Sequence, residues 1–136
     1  MSVRSVVLSV LLSLAVAAEP APGKPYRVEL TAPAAAAVGK VGAAQVRVVP
    51  AEGYHTNKEF PTKLTVTAPA AVTVARATQS AADAKAFSPD RLEFEVGFTA
   101  TAAGAHEILG DLRFAVCTPQ TCIPVKEKVT WKVAVK

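Results

Sequence analysis

Cys117 and Cys122 are the two cysteines of this 136-residue chain, and four residues separate them. Thiols this close in sequence can close a disulfide, help to hold a metal ion, or pass electrons by opening and closing. A metal would need further donors. The two histidines, His55 and His106, could complete a four-ligand set, but nothing in the sequence brings either beside the cysteines. Neither a metal nor another cofactor is therefore expected. A disulfide closing a ring of about six residues contributes only roughly 2 kcal/mol in the loop-entropy model, against more than about 4 for a ring of about 60. A bond chosen for stability would be better placed elsewhere in the chain. Small inert hairpin disulfides are common all the same, so structural and redox uses stand level on the residues alone.

The compartment bears on that choice. Arg4 precedes an apolar run from Ser5 to Val16, and Ala15-Val16-Ala17 gives the small-x-small pattern of a signal-peptidase site. Residues 1–18 thus read as a secretory signal peptide cleaved after Ala17 or Ala18. The run is shorter than the roughly 20 residues a spanning helix needs, and no later stretch is long and apolar enough to cross. A periplasmic or secreted location follows as an expectation. There a nearby cysteine pair rests oxidised unless something reduces it.

Loss of Arg4 would take the formal charge from +4 to +3. The basic residues are scattered, and Lys126, Lys128, Lys132 and Lys136 fall along one strand-like tail. Such spacing marks the wet face or a protected edge of a sheet, and without an arginine cluster or an aromatic platform it excludes nucleic-acid binding. No Gly-x-Ser-x-Gly elbow or His-Glu-x-x-His is present, so the hydrolase motifs built on them are absent.

Residues 19–25 form a proline-rich lead-in, and residues 26–136 make one domain. Its pattern is period-two alternation. Tyr26 to Thr31, Gln45 to Val49, Lys63 to Thr67 and Val72 to Ala77 read as strands. Leu92, Phe94, Val96 and Phe98 share one face of the strongest strand, opposite Arg91, Glu93 and Glu95. His106 to Leu109 follows a turn at Gly104. Leu112, Phe114 and Val116 share an inward face, as do Val129, Trp131, Val133 and Val135. Residues 32–44 and 78–90 read as loops. About seven to eight short strands without a convincing helix predict an all-β antiparallel sandwich. Parity sets Cys117 with Asp111, Arg113 and Ala115, turned from the core near a hairpin tip with good access.

One family carries a similar arrangement. The chain resembles the N-terminal periplasmic domain of the bacterial thiol:disulfide interchange protein DsbD. An aromatic-rich strand runs into a close cysteine pair and then a proline, here Phe114-Ala-Val-Cys117 and Cys122-Ile-Pro124. A charged strand-like tail follows, Lys126 to Val135, and Glu52-Gly53-Tyr54-His55-Thr56-Asn57 is similar to that family's Gly-Tyr turn. The resemblance spans residues 26–135 and implies an immunoglobulin-like fold. It implies a free-standing module in which Cys117 and Cys122 shuttle between dithiol and disulfide. The implied partners are periplasmic thioredoxin-like oxidoreductases and a membrane electron donor.

The chain departs from the family in its cysteine spacing, and in His55 and Asn57 where aromatic rings are expected. The family shields its pair with an aromatic-bearing cap loop, for which the counterpart here is Ala81 to Pro89 with Phe87. Phe87 equally suits an ordinary loop-anchoring role. Tyr54, His55, Asn57, Phe87 and Pro124 are the residues expected to flank the pair. The alternative function is a non-catalytic secreted β-sandwich, a binding or envelope domain whose disulfide only stiffens a hairpin tip.

Overall fold

A computed structural model describes residues 23–33 and 35–136. The signal-like stretch 1–18, with residues 19–22 of the lead-in, lies outside the described residues. The alternating segments pair into ten strands in two antiparallel sheets, with no α-helix among the described residues. The strands are β1 (Tyr26–Thr31), β2 (Val41–Pro50), β3 (His55–Thr56), β4 (Lys63–Thr67), β5 (Val72–Val74), β6 (Thr78–Ser80), β7 (Ala86–Ser88), β8 (Arg91–Ala100), β9 (Gly104–Cys117) and β10 (Cys122–Val135). One sheet runs β1-β2-β8-β5 with β7 also on β8, and the other runs β10-β9-β4-β6 with β3 also on β9. The fold is an immunoglobulin-like β-sandwich.

The inward residues of the two sheets form the core, and the alternation in the sequence marks most of them. Leu92, Phe94, Val96 and Phe98 of β8 face Leu64 of β4 and Ile108, Leu112, Phe114 and Val116 of β9, all buried. Trp131 of β10 is buried between the sheets, and its Nε1–H donates to the Gln45 carbonyl of β2 at 2.9 Å. Buried indole nitrogens need such a partner. Nearer the β9–β10 turn the Tyr26 ring meets Phe114 edge to face, centroids 5.0 Å apart. The Tyr26 hydroxyl donates to Glu127 Oε1 at 2.6 Å, linking β1 to β10.

Several segments depart from the sequence pattern, among them the strand expected over Val72 to Ala77, which ends at Val74, and the turn segment before Asn57, in which His55–Thr56 forms β3. His106–Leu109 and Leu112–Val116 are one strand, because Gly110 continues β9 instead of breaking it. A Cβ at Gly110 would lie 2.8 Å from Val129 Cγ2 and 3.0 Å from Trp131 Cζ3, so the missing side chain is the space the indole fills. Val41 to Ala44, read as the end of a loop, extends β2, with Ala44 fully buried and paired with Val96. The loop expected over residues 78–90 contains β6, a single 3-10 turn at Ala81–Asp83, and β7. Such two- and three-residue strands carry too few residues to show a period.

Gly110→Ala should cost about 1–3 kcal/mol by overpacking against Val129 and Trp131, measured by urea unfolding through Trp131 fluorescence. A second expectation concerns alkali. Burial, and after it the Glu127 carboxylate, hold the Tyr26 phenol protonated well above its ordinary value. A pKa raised by folding contributes stability below the unfolded value near pH 10, lost as pH rises through the folded one. Stability should therefore fall above about pH 10, and Tyr26→Phe should flatten that slope in pH-dependent unfolding.

Candidate functional site

The cysteine pair sits at the tip of the β9–β10 hairpin. Thr118 sets the four-residue turn: its Oγ1 accepts the backbone N–H groups of Gln120 and Thr121 at 3.2 and 3.1 Å. Its own N–H donates to the Thr121 carbonyl at 2.7 Å. A side-chain hydroxyl closing a turn in this way is a known use of threonine. The result sets Cys117 directly opposite Cys122 in the ladder. Their Cα atoms lie 4.0 Å apart and the two are joined as a disulfide.

The pair is asymmetric. Cys122 belongs to β10, the edge strand, and is exposed. Cys117 belongs to an interior strand and is 2% exposed. This corrects the expectation of an accessible Cys117. Its parity is as read, with Asp111 and Arg113 exposed on the same face, but Ala115 is 1% exposed as well. The cause is a segment some sixty residues upstream. His55 pairs with Cys117 and Thr56 with Val116, and the Asn57 N–H donates to the Ala115 carbonyl at 2.9 Å.

The Asn57 side chain then crosses β9, and its Nδ2 lies 3.8 Å from Cys122 Sγ in a hydrogen bond. Its Oδ1 accepts the Glu59 N–H at 2.9 Å, which fixes the amide with its donor end towards sulfur. Thr56 anchors the segment from behind. Its N–H donates to the Pro89 carbonyl at 2.9 Å and its Oγ1 to the Ser88 carbonyl. This strap therefore ties the hairpin tip to the turn between β7 and β8.

The residues expected to flank the pair stand as follows. His55 is exposed beside Cys117 in the ladder, and Asn57 touches Cys122. Pro124 is exposed two residues beyond Cys122, opposite Ala115, where an edge strand tolerates proline. Tyr54 is half-buried against the core. It follows Gly53, whose φ of +83° and the Tyr54 N–H bond to the Ala51 carbonyl make the turn. Phe87 also packs on the core, opposite Leu92 in β7. Its strand reaches the site through the backbone carbonyls that receive Thr56. Sequence reasoning passed over Thr56 and Thr118; Thr118 opening a turn at Pro119 was the available signal.

The metal alternative fails on distance. His106 lies near the start of β9 and Cys117 at its end, eleven residues or roughly 36 Å along an extended strand. The His106 ring is hydrogen-bonded to the Ala102 carbonyl at 2.8 Å. Among the described residues no group of three or more His, Cys, Asp or Glu could hold a metal ion. No helix among them is long and apolar enough to cross a membrane.

No protein-family model matches the chain, and no curated protein matches it in sequence. Solved structures do share its shape. The native conformation of Escherichia coli alpha-2-macroglobulin matches at a TM-score of 0.50 and 15% identity, over 82% of this chain. The chain spans only 7% of that protein's length. The CARDB domain of a Pyrococcus furiosus protein, crystallised in complex with di-metal ions, gives 0.48 at 20% identity, covering 82% of this chain and 87% of that one. At such identities the likeness is one of fold.

The asymmetry predicts unequal thiols. After mild reduction, Cys122 should be alkylated first and Cys117 much more slowly, as read by mass spectrometry of the trapped thiols. Replacing both by serine should leave the domain folded, with a loss of about 2 kcal/mol in urea unfolding.

Proposed function

We propose that this domain is a thiol:disulfide interchange module of an oxidising compartment outside the cytosol, working through the Cys117–Cys122 pair. The observation that carries the reading is the division between the two sulfurs. One is exposed on an edge strand with an amide N–H directed at it, and the other is buried in the ladder behind it. Exchange needs an attacking sulfur that a partner can reach and a resolving sulfur held where solvent thiols cannot compete. Cys122 suits the first role and Cys117 the second. The Asn57 amide supports it, since a hydrogen bond to sulfur strengthens when the sulfur is a thiolate.

In the reducing direction, the Cys122 thiolate attacks a partner disulfide, forming one S–S bond and releasing one partner thiolate. Cys117 gives up its proton and attacks Cys122 Sγ. The internal disulfide closes and the second partner thiolate leaves. Two electrons and two protons have passed to the partner, which is reduced while this domain is oxidised. The steps run backwards when a donor dithiol attacks Cys122, with Cys117 as the leaving group. Thioredoxin-like oxidoreductases and a membrane electron donor are the partners this chemistry suits. The likeness of Phe114 to Pro124 to the DsbD N-terminal domain, with an N-terminal stretch of signal-peptide pattern, supports the same reading.

A redox pair should titrate well above the roughly −300 mV below which structural disulfides lie. Cys117→Ser should accumulate a mixed disulfide with a thioredoxin-like protein through Cys122, whereas Cys122→Ser should trap none. A potential below that bound, with no trapped complex from either variant, would make the bond a brace of the hairpin and the domain a non-catalytic binding module.

A further inference from the structure

Three cations stand side by side on the outer face of the sheet that carries the pair. Lys63 of β4, Arg113 of β9 and Lys126 of β10 are cross-strand neighbours, Lys63 opposite Arg113 and Arg113 opposite Lys126. All three are exposed. Among the described residues six ion pairs form, and none of them includes any of the three. Asp111, the nearest acid along β9, is directly opposite Lys128 and Thr65 and opposite none of the three. Like charges directly opposite one another in a sheet are unfavourable. Arg27, Arg47, Arg76 and Lys85 each have an acidic partner, whereas Lys40, Lys58, Arg91, Lys128, Lys132 and Lys136 stand, like the row, outside these ion pairs; the row differs from them in setting three cations directly across neighbouring strands.

Beside this row lies an open groove of about 390 Å³. Phe60 and Pro61 line its apolar side, Lys63 and Arg113 supply positive charge, and Thr78 and Ser80 add hydroxyls. Along the chain, Phe60 and Pro61 lie between the strap that carries Asn57 to Cys122 and the start of β4. Arg113 and Cys117 are four residues apart on one face of β9, roughly 13 Å.

We infer that this groove and cation row are the docking site for an acidic, extended peptide segment of the protein that exchanges with the pair; the inference rests on the interchange reading. Carboxylates of such a segment would neutralise Lys63, Arg113 and Lys126, and an interleaved apolar side chain would cover Phe60 and Pro61. Docking there leaves the partner's sulfur within reach of Cys122 at the end of the same face. Charge rows of this kind speed encounter and set orientation more than they add affinity.

The probe is a fluorescein-labelled peptide of alternating glutamate and leucine, its binding to the purified chain followed by fluorescence anisotropy at low salt. Lys63→Gln with Arg113→Gln should weaken binding about tenfold, and raising the salt to screen the charges should do the same. Lys132→Gln, a cation on the same sheet face opposite Glu107, should leave binding unchanged. Equal weakening by Lys132→Gln, or none from the paired variant, overturns the site. So does binding of phosphatidylglycerol vesicles through these cations in place of the peptide. The measurement involves no redox step. Its failure therefore removes the docking site alone, while the potential of the pair separately decides the interchange reading.

Discussion

Strand β9 hydrogen-bonds to β10 along its whole length on one side, and on the other to β4 and then to the two residues of β3. Both its edges are filled near Cys117, whereas among the described residues no strand pairs with the outer edge of β10 at Cys122. That difference in strand order divides the two sulfurs into a shielded and an open one. Alternation along β9 does the rest. Its inward residues from Ile108 to Val116 hold the core, and of its outward ones Asp111 and Arg113 are exposed while Ala115 and Cys117 lie covered beside the strap. Position in the sheet accounts for the asymmetry without special chemistry at either cysteine.

The alternating runs in the sequence are strong where a strand has one face in the core and one in solvent. That is why Leu92 to Phe98 and Val129 to Val135 were legible, and with them the sandwich. The hairpin tip was legible too, since the cysteines join two strand-like segments. The burial of Cys117 was not, because parity reports which way a side chain points and says nothing of what lies over it. What lies there is the 54–57 strap, and its placement depends on pairings between residues sixty or more positions apart. The hydrogen bond from Asn57 to Cys122 spans 65 residues. His55 reached the site by register with Cys117, while His106 was carried to the far end of the same strand. Gly110 carried no signal in the alternation, yet its missing side chain is the space in which Trp131 packs.

The strap also explains how Phe87 can matter without touching the pair. Thr56 holds the carbonyls of Ser88 and Pro89, and Phe87 just before them packs half-buried against the core. A packed aromatic thereby fixes the turn on which the strap leans, and the strap fixes the Asn57 amide at Cys122. A loop of this length without such an anchor would leave the amide free to sample many positions. The sequence resemblance pointed to an aromatic cap at this place; the described contacts give a half-buried anchor acting through backbone.

Whether the bond can open without loss of the fold turns on what else holds the hairpin. The β9–β10 ladder extends over fourteen residues per strand, and Phe114, Val116, Val125, Val129, Trp131 and Val133 from both strands are buried in the core. Each fully buried side chain of this kind contributes about 1.5–3 kcal/mol, against about 2 kcal/mol for a six-residue disulfide ring. The tip is further closed by the Thr118 turn and flanked by the strap, neither of which needs the S–S bond. Most of what holds the hairpin is therefore independent of the bond. An exchange centre must satisfy that condition, and a bond retained solely for stability would be poorly placed here.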